Sequence, residues 1–253
     1  MMKTIIKLIG VVAVAGIVFW LVPRDQGTVL ALNGKATPVH GQPGLFMVAM
    51  TLENEGTATT LTSVTSPSAE AVSIMNPGHM GDPLVIPADG SGVLAMDGAH
   101  IMLRTPSEDF SEGGFLPLTL SFDGKGDIST RIIHAGMQGM QHSSGKGISE
   151  TPAPSVGLTL PNNIGGEGFD LTVDIQGLSL IETPDGTPHF TGQGHAHVYL
   201  NGLKLGRLYD ETYAIGALPK GTYTLRVSLN ANNHMPYMDG DTPISDAVTF
   251  TIP

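Results

Sequence analysis

The chain has no cysteine among its 253 residues. Disulfide staples and thiolate metal sites are therefore excluded, and a side-chain metal site must be built from histidine, methionine or carboxylate. Charge is also scarce, at 14% of residues, with 12 Lys and Arg against 23 Asp and Glu. The clustered basic residues that phosphate binding requires are missing, so nucleic acid is not expected as a partner. Aromatics make up only 6%, and no Gly-x-Ser-x-Gly elbow, P-loop or dinucleotide fingerprint occurs. With no thiol nucleophile either, the chain is not expected to be an enzyme. Abundant instead are Gly (33), Pro (18) and Met (12). Frequent turn formers between short apolar runs point to an all-β protein.

Lys3 and Lys7 precede an apolar run over residues 8–22, closed by Pro23 and Arg24. A charged start followed by such a run marks export. Counting Ile5 and Ile6, it reaches the roughly 17–25 residues of a membrane span. No small-residue cleavage site follows. Residues 1–27 are expected to be an uncleaved membrane-anchor helix, with the body in the bacterial periplasm at the inner membrane. An exported, cleaved chain is the alternative.

Apolar stretches at 45–53, 71–75, 93–96, 100–104, 116–122 and 128–133 read as strands separated by Gly- and Asp-rich turns. A second set lies at 170–175, 196–200, 223–229 and 247–252, with Asn201-Gly202 as a hairpin turn. The stretch between the two sets is rich in Gly, Ser, Pro, Met and His. The expected architecture is two β-sandwich domains, cupredoxin- or Ig-like, at 28–135 and 162–253. A flexible Met/His linker at 136–161 joins them.

His100 and Met102 are two residues apart on one expected strand, so imidazole and thioether project from the same face. Met75, His79 and Met80 form a nearby Met/His cluster that a sandwich can bring alongside. Thioether and imidazole suit a soft monovalent ion such as Cu(I) and suit hard ions poorly. Met47, Met50 and Met96 lie in apolar settings and read as core. His40, near a Pro/Gly turn, reads as solvated surface.

The segment from Thr37 to about Ile133 resembles the periplasmic copper(I) chaperone family of the PCuAC type. The matching text is Met50-Thr51-Leu52-Glu53-Asn54-Glu55-Gly56, Leu84-Val85-Ile86-Pro87-Ala88-Asp89-Gly90, Asp97-Gly98-Ala99-His100-Ile101-Met102-Leu103 and Leu116-Pro117-Leu118-Thr119-Leu120-Ser121-Phe122. The resemblance implies copper held by two Met and two His, with His100 and Met102 as the C-terminal ligand pair. The chain departs upstream. Met75 stands where the family has a His, and the following loop is shorter. Met80 is then the expected loop thioether and His79 a replacement imidazole. The resemblance also implies a copper-accepting envelope partner such as a cytochrome c oxidase subunit, whose Cu(A) centre would be assembled. Copper homeostasis is equally consistent.

In the second half, His195 and His197 again share one strand face, and His234 follows a later strand in a loop with Met235 and Met238. Two strand histidines plus a loop histidine make a plausible site for Cu(I), Cu(II) or Zn(II). This half resembles His-rich envelope β domains associated with copper proteins. The linker and the residues leading into it carry His134, Met137, Met140 and His142, a soft-donor tract suited to loose copper capture. The expected function is a copper(I) chaperone. A copper-dependent redox enzyme using the C-terminal histidines and a metal-free envelope scaffold are the alternatives.

Overall fold

The computed structural model describes residues 27–136, 147–184 and 186–253. The expected anchor falls almost wholly outside them, as do Met137, Met140 and His142. Among the described residues no helix is long and apolar enough to cross a membrane.

The protein is all-β. In the N-terminal half the strands are β1 (Val29–Pro38), β2 (Leu45–Asn54), β3 (Thr59–Thr65), β4 (Ala71–Met75), β5 (Leu84–Ile86), β6 (Ser91–Leu94), β7 (His100–Arg104), β8 (Phe115–Phe122) and β9 (Gly126–His134). The C-terminal half adds β10 (Ser155–Thr159), β11 (Phe169–Gln176), β12 (Ser179–Leu180), β13 (Gln193–Leu200), β14 (Leu203–Leu208), β15 (Thr212–Ile215), β16 (Gly221–Ala231), β17 (Met238–Asp239), β18 (Thr242–Pro243) and β19 (Ser245–Ile252). The one helical turn described is a short 3-10 segment, Ser107–Asp109.

Alternation sets the strand faces. In β2 the even-numbered Phe46, Val48, Met50 and Leu52 are buried while Leu45, Met47 and Ala49 are half-buried. β7 repeats the pattern, with Ile101 and Leu103 fully buried between half-buried His100 and Met102. These inward residues form the first core with Leu118, Leu120 and Ile132. A second core gathers Leu171, Val198, Leu200, Val227 and Leu229. Val156 and Leu158 pack against it from β10, a strand inside the stretch expected as linker. Asn201 and Gly202 both take positive φ, 46° and 82°. That is the geometry a two-residue hairpin turn requires.

The two halves share one sheet. Its strand order is β19-β16-β13-β14-β6-β2-β1-β9-β8-β3-β5, with β14 antiparallel to β6 at Lys204 and Val93. Backbone bonds reinforce this seam, Ala99 N–H to Gly202 O at 2.9 Å and Ala88 N–H to Ala217 O at 3.0 Å. Ser91 Oγ donates to Leu205 O at 2.7 Å. The cores trade residues as well: Leu203 packs in the first and Val85 in the second.

Candidate metal centres

The first centre rests on three strands. β4 pairs with β7 so that Met75 lies opposite His100 and Ser73 opposite Met102. β7 also pairs with β2, placing Met47 opposite Met102. Directly opposed residues share a face, so Met75, His100, Met102 and Met47 all project from the side away from Ile101 and Leu103. Met75 is 38% exposed, and His100, Met102 and Met47 are half-buried. The donors are therefore neither sealed in the core nor free in solvent. His100 Nδ1 donates to Gly98 O at 3.0 Å, which leaves Nε2 bare for a ligand.

The loop after β4 divides. Met80, 83% exposed, lines one cleft with Met75, Thr60, Leu61 and Pro83. His79 turns the other way. Its Nδ1 meets Asp82 Oδ2 at 3.1 Å, and its ring lies over Gly202 in a cleft shared with Met96, Asp97 and Arg226. The register thus joins Met75, His100 and Met102, with Met80 beside Met75 and His79 beside the C-terminal half. Met50 is core, as its apolar setting indicates, and His40 is exposed. Met47 is not core: strand parity puts it on the ligand face. Met96 is not core either, being 46% exposed in the turn two residues past β6. Period-two alternation from the buried Phe46 already assigns Met47 to the opposite face. Nothing local marks Met96.

The second centre is more enclosed. His195 and His197 lie on β13, each 2% exposed, and His234 arrives from the loop after β16 with φ +64°. One ring nitrogen from each lies within 4.8 Å of the others. His195 Nε2 and His197 Nε2 are 3.0 Å apart. A tetrahedral site with bonds of 2.0–2.1 Å has edges of about 3.3–3.4 Å, so a small opening of this pair admits an ion. His197 Nδ1 lies 2.9 Å from Asp97 Oδ2, and Arg207 Nη2 lies 3.3 Å from His234 Nε2. An ion bound through that nitrogen competes with the guanidinium.

Burial dominates the protonation of this centre. It pushes His195 down to about 3, assisted by the charges of His197, His234 and Arg207. Burial also pushes His197 down to about 4, against the opposing pull of Asp97. Both imidazoles are thus neutral near pH 7, the form that ligates. Burial tends to raise Asp97, but the bond with His197 and the Lys204 charge outweigh it and hold the carboxyl well below the usual range. Desolvation raises Tyr199, and Arg226 stacks 3.8 Å from its ring centre.

The remaining candidates stand elsewhere. His134 ends β9 between Phe46 and Phe110, with Nδ1 donating to Phe110 O at 3.0 Å and Nε2 buried without a hydrogen-bond partner. Met235 shapes the His234 loop through its carbonyl, which accepts from Ala231 N–H at 2.9 Å. Met238 lies on β17 against Gly147.

Residues 32–133 match the model of the family described as "Putative lipoprotein LpqE-like", about two-fifths of the chain. The resemblance drawn from the N-terminal motifs holds over the same stretch. Similar solved structures include the apo PCuAC domain from PmoF1, at 19% identity and TM-score 0.39, covering 45% of this chain and 98% of that one. The copper-bound PCuAC domain from PmoF2 aligns at 19% identity and TM-score 0.38, covering 44% and 94%. Fibronectin(III)-like modules of Clostridium thermocellum CbhA align over 89% of this chain and 94% of theirs, at 13% identity and TM-score 0.27. No curated protein matches.

Proposed function

We propose that this protein is a copper-binding chaperone of the bacterial cell envelope that holds Cu(I) and passes it on without catalysing a reaction. One observation carries the reading. The β4–β7 register sets the Met75 thioether opposite the His100 imidazole, with Met102 two residues on, all on a half-exposed face. Soft sulfur and imidazole donors favour Cu(I). Partial exposure lets an acceptor enter the coordination shell and take the ion by ligand exchange. Thioethers also survive an oxidising compartment in which thiols would pair.

The family match and the PCuAC resemblance support an envelope setting. The matched family's lipoprotein description meets a difficulty in this chain, because its 253 residues contain no cysteine to carry a lipid thioether. The setting we propose is the periplasm, with attachment through residues 1–27 or export with cleavage of that segment. The acceptor we propose is a copper-receiving envelope protein such as the Cu(A) subunit of cytochrome c oxidase, with copper homeostasis as the broader role. The histidine trio, with His195 and His197 buried and His234 half-buried, provides a second copper site, for Cu(I) or Cu(II). It also keeps a redox role open as a second reading, which predicts turnover of Cu(II) with a reductant.

Anaerobic titration of the whole chain with Cu(I), in competition with a chromogenic chelator, tests the proposal. Two equivalents are expected, one lost in Met102→Ala and the other in His234→Ala. Retention of both equivalents in Met102→Ala would overturn the first site.

A further inference from the structure

The turn between β6 and β7 belongs to the N-terminal half, yet its Asp97 places its carboxylate in the C-terminal centre. Oδ2 lies 2.9 Å from His197 Nδ1, accepts from the Tyr199 hydroxyl at 2.9 Å and lies 2.6 Å from Lys204 Nζ. We infer that Asp97 is a positioning residue that completes the His195/His197/His234 metal site across the two halves, by fixing His197 with its proton on Nδ1 and its Nε2 lone pair toward the ion. The inference rests on the reading that these histidines hold a metal.

The tautomer is the point at issue. A carboxylate can only accept, so His197 must donate from Nδ1, and Nε2 is left as an acceptor facing His195 Nε2 at 3.0 Å. The Tyr199 hydroxyl also lies 3.3 Å from His197 Nδ1. Without Asp97 that hydroxyl is released from its own acceptor and is placed to donate to Nδ1. The proton would then move to Nε2 and block the ligand position. Lys204 meets the same carboxylate oxygen as His197 and Tyr199, and its side chain is only 12% exposed. The same turn orients the first centre, since the Gly98 carbonyl accepts from His100 Nδ1.

Outer-sphere partners of metal-bound histidine are worth about 10–100-fold in metal affinity. Zn(II) is the suitable probe, because thioethers bind it poorly and the Met-rich centre stays silent. Asp97→Asn in the whole chain should weaken Zn(II) binding by about 10–100-fold, and Asp97→Glu should recover part of the loss. Nitrogen-15 NMR of the metal-free protein should show the His197 proton on Nδ1 in the natural chain and displaced toward Nε2 in Asp97→Asn, a change that loosened packing alone does not produce. A His195→Ala/His197→Ala double variant separates the two levels. If it keeps full Zn(II) affinity, the metal site itself is wrong. If it loses Zn(II) while Asp97→Asn binds as tightly as the natural chain with an unchanged tautomer, the role of Asp97 is overturned.

Discussion

Replacing Gly98 by alanine should damage stability and both metal centres together. The new Cβ would fall 2.6 Å from the Gly202 carbonyl oxygen and 3.3 Å from Tyr199 Cε1. Ordinary contact begins near 3.4 Å, and the first obstacle is backbone, so the turn must retreat by roughly 0.8 Å. The φ of Gly98 is not positive, so the cost is steric. Retreat stretches the 2.9 Å bond from Ala99 N–H to Gly202 O. Losing that bond costs about 1 kcal/mol, and overpacking adds about 1–3 kcal/mol. At about 2–4 °C per kcal/mol for a chain of this size, the melting temperature should fall by roughly 5–15 °C. Circular dichroism melts would measure it. Gly157→Ala is the control: β10 leaves its Cβ nothing within 4 Å, so the change should stay within about 0.5 kcal/mol. The Gly98→Ala protein should also bind Zn(II) more weakly, because Asp97 moves with the turn. A melting temperature within 2 °C of the natural chain would refute the claim that this turn is pressed against the C-terminal half.

Met102→Leu keeps core-compatible volume, so it should fold normally and lose one Cu(I) equivalent on titration, whereas Met50→Leu, at a core position 3% exposed, should keep both. Leu203→Ala should cost about 2–5 kcal/mol in urea denaturation and do so in one transition, because this residue of the C-terminal half is packed in the N-terminal core. Two separate transitions would count against the shared sheet. Burial holds His195 and His197 at about 3 and about 4, below their ordinary value of 6.5. Their depressed values mean that the unfolded chain binds protons first as the medium acidifies. The metal-free protein keeps this stability above about pH 6.5 and loses it progressively toward pH 3–4, by at most about 2 kcal/mol per histidine at pH 5. Equal urea midpoints at pH 5 and pH 7 would contradict the burial of both rings.

Much of the strand pattern was legible because period-two alternation is a local signal. β2, β4 and β7 match their apolar stretches nearly residue for residue, and Asn201-Gly202 makes the turn its composition indicates. β13 was legible only in part, because it is buried over nearly its whole length and its alternation disappears. β1 and β3 carry little local signal, since Thr, Gly, Asn and Lys in β1 and Thr and Ser in β3 interrupt their apolar runs. The pairing of β6 with β14 left no mark, because the ladder itself is backbone and the side chains that reinforce it, such as Ser91 and Leu203, are ordinary strand residues. Histidine pairs at i and i+2 were readable for the same reason as strands. Asp97 was not: an Asp-Gly pair in a turn looks like solvated punctuation until the fold brings His197 beneath it.

If the two centres hold copper as proposed, the β6–β14 seam bears on how the ion can travel. Hydrogen bonds, exchanged core residues and the Asp97–Lys204 ion pair tie together the two halves that carry the centres. Passing an ion between the centres by swinging one half would first have to break these contacts. Transfer that keeps them intact steps from side chain to side chain, or uses a second molecule that docks against both halves at once.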